Sequence, residues 1–268
     1  MEKTRTDTGT SASTGTDRGT GTDRGTGTGR GRPRVTLITG GNKGLGLETG
    51  RRLVAAGHDV YLGARDARRG AAAARRIGAR SLLLDVTDDE SVAAAAEAVR
   101  EETGGRLDVL VNNAGIAGTA RPARELSAAE LRTVFDTNVF GAVRVLHAFL
   151  PLLTAGEAPV VVNVSSGLGS LAVTADPAGH ATVVPTWLPA PAYSASKAAL
   201  NMLTAQYAHA CPELRINAVD PGHTATDLNG HTGPQTVEEG AEIIVRMALI
   251  GPDGPTGGYV AAGGTLPW

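Results

Sequence analysis

From Arg34 onward, short runs of β-branched and leucine residues alternate with alanine-rich stretches of helical length, and this alternation constrains the fold more than any other feature. The runs are RVTLIT (34–39), DVYLGA (59–64), SLLLDV (81–86), DVLVNN (108–113), PVVVNVS (159–165), RINAVD (215–220) and GGYVA (257–261). Several are apolar almost throughout, as strands covered on both faces must be. Between them the pattern predicts helices near 44–56, 66–77, 88–102, 127–153, 191–210 and 236–249. A strand-helix repeat of this kind specifies an α/β protein with a mainly parallel sheet. The expectation is one doubly wound domain over 34–268, seven strands with helices on both faces, and ligands at the carboxyl ends of the strands.

Residues 1–33 have a different texture. They are almost entirely Gly, Thr, Asp, Arg and Ser, with the near-repeat TDRGTGTDRGTGTG at 16–29. Such a segment carries nothing to bury, so it reads as a disordered tail outside the domain. Over the whole chain the net charge is -2, which supplies no basic face for nucleic acid or for an anionic membrane. No apolar run approaches the roughly 18 residues of a bilayer span, and the N-terminus lacks the apolar core of a secretory signal. A single cysteine, Cys211, excludes an intramolecular disulfide framework and suits a reducing compartment. The reading is a cytoplasmic protein whose partner is a small molecule. No set of His, Cys and acidic residues recurs at metal-ligand spacing, so no metal is expected.

The first strand runs into TGGNKGLG, which places Gly40, Gly44 and Gly46 at a strand-turn-helix junction. Glycine permits the tight turn and lets a pyrophosphate approach the N–H groups that open the next helix. About 20 residues on, the second strand ends at Arg65, where an NAD site would place a carboxylate. Arg65 and Lys43 are two cations suited to a 2′-phosphate, and Arg69 lies one helical turn beyond Arg65. The reading is NADP(H) in preference to NAD(H). Asp66 serves a ribose instead if the register slips by one residue.

The stretch YSASK (193–197) puts Tyr193 and Lys197 on one face of a predicted helix. Ser165 and Ser166 end the strand PVVVNVS at the ligand-binding edge, and Asn138 stands in DTNVFG. Together with TGGNKGLG, LGARDARRG and DVLVNNAG, in this order, these motifs resemble the classical short-chain dehydrogenase/reductases, particularly their carbonyl-reductase branch, from about Arg34 to the C-terminus.

That resemblance implies a Rossmann-type catalytic domain and an oxidoreductase that moves hydride between nicotinamide and a carbonyl or secondary alcohol, in the reductive direction. It implies Tyr193 as general acid/base, Lys197 as its partner, Ser166 as the substrate-orienting hydroxyl and Asn138 as support for a water relay. Ser165 remains the alternative serine, because side chains alternate along a strand. A phenol titrates near 10, so a neighbouring ammonium is needed to make it a useful acid/base near neutrality. By the same resemblance the cofactor contacts are Gly40, Asn42, Lys43, Gly44, Leu45 and Gly46 in the first turn, with Arg65 and Arg69 after the second strand. Asp85 and Val86 follow the third strand, Asn112, Ala114 and Gly115 the fourth, and Pro221, Gly222, Thr224 and Thr226 the sixth. Tyr193 and Lys197 complete the set, although Asp85 could instead cap the next helix.

Two regions depart from the family pattern. Ser166 and Tyr193 are 27 positions apart where about a dozen is usual, so LAVTADPAGHATVVPTWLPA forms an excursion near the active-site mouth. It leaves the oligomeric state open between a monomer and a homo-oligomer. Within it, Trp187 and His180 could touch substrate, and packing of Trp187 against the excursion's prolines is the competing role. The polar DLNGHTGPQTVEEGAE reads as a mobile lid leading to the last helix, with His223 and His231 near enough to contact substrate. His147 and His209 read as packing or surface residues. Alternative activities are an NAD-dependent alcohol dehydrogenase and a dinucleotide-sensing regulator without turnover.

Overall fold

The computed structural model describes residues 32–119 and 122–268. Most of the sequence-predicted tail, residues 1–31, lies outside the described residues. Pro33 already belongs to the compact unit Pro33–Trp268, its carbonyl accepting from Arg106 Nη2 at 2.8 Å.

Among the described residues the chain forms one eight-stranded sheet. Its strands are β1 (Val35–Thr39), β2 (Asp59–Ala64), β3 (Arg80–Leu83), β4 (Val109–Asn112), β5 (Val160–Val164), β6 (Arg215–Asp220), β7 (Tyr259–Ala261) and β8 (Gly264–Thr265). Their order is β3-β2-β1-β4-β5-β6-β7-β8, parallel throughout except for β7 with β8. The eighth strand is a correction to the expected seven. It is only two residues long and closes a hairpin through the glycines of AAGGT, too short for a periodic signal.

The connecting helices are α1 (Gly44–Ala55), α2 (Ala67–Ile77), α3 (Asp89–Thr103), α4 (Ala128–Phe135), α5 (Gly141–Thr154), α6 (Leu171–Ala175), α7 (Pro191–Ala210) and α8 (Val237–Ala248). Strand residues alternate between two apolar layers, as a pleated strand requires. Leu37, Leu110, Val161 and Ile216 pack with α3 and α5 on one face. Ile38, Val109, Val111 and Val162 pack with α1, α2 and α8 on the other. A third cluster, Val173, Val184, Ala218, Tyr259 and Leu266, joins the excursion to the C-terminal hairpin.

The single helix expected at 127–153 is one 27-residue run, Ala128–Thr154, interrupted by a π-helical turn at Asp136–Phe140 that carries Asn138. By length and mean hydropathy this run meets the requirement of a bilayer span, contrary to the sequence expectation. In the fold its inward stripe of Val145, Leu146, Phe149, Leu152 and Leu153 supplies core to the sheet instead.

Connections after β1 and β4 run to opposite sides of the sheet. The crevice at their carboxyl ends is therefore the switch point where doubly wound folds bind ligands.

Candidate active site

The glycine turn after β1 has room for nothing but glycine at two positions. Gly40 has φ +62°, and a Cβ on it would meet Ala114 Cα at 3.0 Å. At Gly46 a Cβ would lie 2.5 Å from Asn113 Nδ2 and 2.8 Å from the Gly40 carbonyl. Asn113 is the lock of this turn: its Nδ2 donates to the carbonyls of Thr39 (2.8 Å) and Gly40 (3.2 Å). In return, Thr39 Oγ1 accepts from the N–H of Asn113 (3.0 Å) and of Ala114 (2.9 Å). Helix α1 then opens at Lys43 with no side-chain cap, whereas Asp66, Asp88, Ser127 and Thr236 cap α2, α3, α4 and α8. Its first N–H donors face the cleft and fit an anionic pyrophosphate.

At the adenosine end, Arg65 and Asp85 line the same cleft as the glycine turn. Asp66 is committed elsewhere, its side chain accepting from Arg69 N at 2.9 Å as the cap of α2. Arg69 turns its guanidinium onto Asp66 at 3.5 Å and does not line the cleft, so the expected third cation is directed away. Asp85 does not cap α3, a position held by Asp88; its Oδ1 accepts from Thr87 N (3.0 Å) and Thr87 Oγ1 (2.7 Å). Those bonds foremost, with Arg65 nearby, hold its carboxyl below the usual range. Val86 offers its carbonyl to Arg144 Nη1 at 2.6 Å and lines the cleft. Asn112 sits in the sheet, donating to Asn163 Oδ1 at 2.9 Å, while Ala114 and Gly115 wall the cleft.

At the other end, β5 and α7 bring the polar side chains together. Strand alternation separates the two serines. Ser165 is buried and donates to Asn201 Oδ1 at 2.5 Å, whereas the Ser166 side chain, its Oγ accepting from Leu168 N at 3.3 Å, lies near enough to Tyr193 to lower its proton affinity. Lys197 is 4% exposed; its Nζ donates to the Val164 carbonyl at 2.7 Å and lies 5.5 Å from the Tyr193 ring centre. Burial pushes Tyr193 up to about 12, with the Asp220 charge adding to the effect and the Ser166 side chain opposing it. The same burial pulls Lys197 down to about 8. A dry site disfavours each charge separately, so phenolate and ammonium would stabilise each other.

Asn138 holds the approach to this pair without touching it. Its Oδ1 accepts from Ile116 N, and its Nδ2 donates to the Ile116 carbonyl and to Ser196 Oγ, each at 2.9 Å. Ser196 Oγ in turn donates to the Tyr193 carbonyl at 2.6 Å, so the π-turn is tied to the first turn of α7.

Three further residues here escaped the sequence reading. Asp220, buried at the end of β6, accepts from Gly222 N at 3.0 Å, and burial raises its carboxyl. A charged residue ending an apolar strand was its available signal. Tyr259 of β7 donates its hydroxyl to the Ser166 carbonyl and stacks on Trp268 at 5.2 Å. Asn113, second in NNAG, was passed over for Asn112.

The cleft measures about 1210 Å³. Pro221, Gly222, Thr224 and Thr226 form its floor, with His223 beside them, while His231 is turned to Asp227 Oδ1 at 2.8 Å. Val183, Val184 and Leu188 of the excursion line the mouth, but Trp187 and His180 do not, the latter's Nδ1 lying 2.9 Å from the Asp176 carbonyl.

The short chain dehydrogenase family model matches residues 34–236. The chain is 35% identical to (+)-neomenthol dehydrogenase of Arabidopsis thaliana, covering 81% of this chain and 92% of that one. Among solved structures it is similar to salutaridine reductase from Papaver somniferum (TM-score 0.72, 29% identity, 84% and 99% of the chains covered). It is also similar to NADPH-bound carbonyl reductase from chicken fatty liver (TM-score 0.76, 27% identity, 88% and 100% covered). With its glycine turn, serine, tyrosine and lysine at one sheet edge, the chain belongs to the short-chain dehydrogenase family, an oxidoreductase by that membership.

Proposed function

We propose that the protein is an NADP(H)-dependent reductase of an apolar ketone or aldehyde. The observation that carries this is the juxtaposition of Ser166, Tyr193 and the buried Lys197 at the mouth of a cleft whose far end holds an uncapped helix N-terminus and Arg65. The nicotinamide, when bound, supplies the hydride. Ser166 Oγ and the Tyr193 hydroxyl, neighbours at the same edge of the cleft, would both reach one carbonyl oxygen, where negative charge grows during reduction. Tyr193 is the proton donor. Its phenol is neutral at physiological pH and so carries the proton that reduction of a carbonyl consumes. The Lys197 ammonium, 5.5 Å from the ring centre, then stabilises the phenolate left behind until a proton from solvent restores the neutral phenol. Asn138 is a positioning residue that fixes the Tyr193 turn through Ser196.

For the cofactor, Arg65 lines the cleft while the neighbouring Asp66 is occupied as a helix cap, which supports a 2′-phosphate over a bare ribose. For the substrate, Leu168, Val183, Val184 and Leu188 present an apolar wall, suited to a compact carbonyl compound without a charged group. The relatives named for neomenthol dehydrogenation and salutaridine reduction support the same class. The test is NADPH oxidation, followed by absorbance, with cyclic apolar ketones beside 2-oxo acids of similar size. Turnover of the ketones and not of the acids is expected; the reverse order would overturn the substrate assignment.

A further inference from the structure

Lys43, one of the two cations assigned to the 2′-phosphate, is already held. Its Nζ lies 2.6 Å from Asp227 Oδ2, in an ion pair that links the glycine turn to the segment between β6 and α8. Asp227 is itself fixed. Its other oxygen lies 2.8 Å from His231 Nε2, and it opens a one-turn 3-10 helix, Asp227–Asn229. Asn229 closes that turn by accepting from Thr226 N at 3.2 Å and donating to the Thr224 carbonyl at 2.9 Å. The turn rests on the glycine loop, since a Cβ on Gly44 would lie 3.6 Å from Thr226 Cγ2. Lys43 and Asp227 both line the cleft. The carboxylate is thus presented to the same ammonium that a phosphate at the adenosine end would need.

We infer that Asp227 is a specificity-determining residue for the cofactor, which competes with the 2′-phosphate for Lys43 and so sets how strongly NADP(H) is preferred over NAD(H). The inference rests on the NADP(H) reading above. Two outcomes are available at the ammonium. Either the phosphate displaces the carboxylate, or Lys43 serves both and the two anions repel one another. Both weaken the phosphorylated cofactor more than the unphosphorylated one, which shares only the pyrophosphate at this turn, so the sign of the effect on the preference is the same. Because the pair is more than half exposed, screening keeps the effect to several-fold rather than orders of magnitude.

Dissociation constants for NADPH, NADH, 2′,5′-ADP and 5′-AMP, measured by calorimetry on the wild type, Asp227→Asn, Lys43→Ala and the double variant, test this without turnover. Asp227→Asn is expected to tighten NADPH and 2′,5′-ADP about 3- to 10-fold at low ionic strength while NADH and 5′-AMP change by less than about 2-fold. The gain should shrink in 0.5 M salt and vanish in the Lys43→Ala background. Equal changes for both cofactors, or weaker NADPH binding by Asp227→Asn, would overturn the inference. A wild type that prefers NADPH but whose Asp227→Asn variant binds it unchanged sinks this inference alone. A wild type that binds NADH better, with Arg65→Ala indifferent to NADPH, sinks the cofactor reading and the inference together.

Discussion

Replacing Lys197 by Met should make the unliganded protein more stable at neutral pH while disabling it. The buried ammonium has its proton affinity lowered from 10.5 to about 8 by desolvation, so folding costs about 3 kcal/mol at pH 7 for this group. Against this stands the bond from Nζ to the Val164 carbonyl at 2.7 Å, whose loss leaves a buried acceptor unpaired at about 1–2 kcal/mol. Met fills similar volume without charge. The difference is a net gain of about 1–2 kcal/mol, or roughly 2–8 °C in melting temperature for a domain of this size. The sign with pH follows from the depressed value. Below pH 8 both folded and unfolded chains hold the proton, and the cost is present in full. Between pH 8 and 10.5 the unfolded chain binds more protons, so wild-type stability rises with pH relative to the variant and the advantage of Met fades. Thermal melts of both proteins at pH 7 and pH 9.5 would show this. A variant less stable than wild type at pH 7, or a difference that does not change with pH, would refute the reasoning.

Other substitutions probe separate links. Asp220→Asn keeps a hydrogen-bond acceptor but removes the charge that helps hold Tyr193 protonated, so the pH limb for alcohol oxidation should move to lower pH; a limb that stays in place removes Asp220 from the electrostatics. Arg65→Ala should weaken NADPH by about 10- to 100-fold, the worth of a charge-assisted hydrogen bond, with NADH nearly unaffected in a direct titration. Gly46→Ala drives a methyl into Asn113 Nδ2 and the Gly40 carbonyl, and should abolish cofactor-induced thermal stabilisation; retention of that stabilisation would show the turn to be adaptable.

Much of this was legible in the chain because its signals are local. The largely apolar runs place β1, β2, β4, β5 and β6 to within a residue at each end, and α7 matches its expected 191–210 because Pro191 at its start and the polar-to-apolar pattern both mark it. Strand alternation also separates Ser165 from Ser166, though only the register of β5 shows which one faces Tyr193. What was not legible depends on contacts far apart in sequence. Tyr259 reaches Ser166 across 93 positions, and Lys43 meets Asp227 across 184. No periodicity encodes such pairs. Arg69 is different: helical spacing placed it beside Arg65, but its guanidinium lies 3.5 Å from Asp66, the cap of its own helix, and outside the lining of the cleft. The π-turn around Asn138 is likewise invisible to a 3.6-residue pattern, which runs through it unbroken.

The most direct test of the account is NADPH oxidation with an apolar cyclic ketone by the wild type and by Tyr193→Phe, measured beside the affinity of each for NADPH. The account predicts turnover by the wild type, loss of at least about 100-fold in the variant, and cofactor affinity equal within a few-fold. Turnover by the phenylalanine variant close to that of the wild type would contradict it, because the proton would then have come from another group.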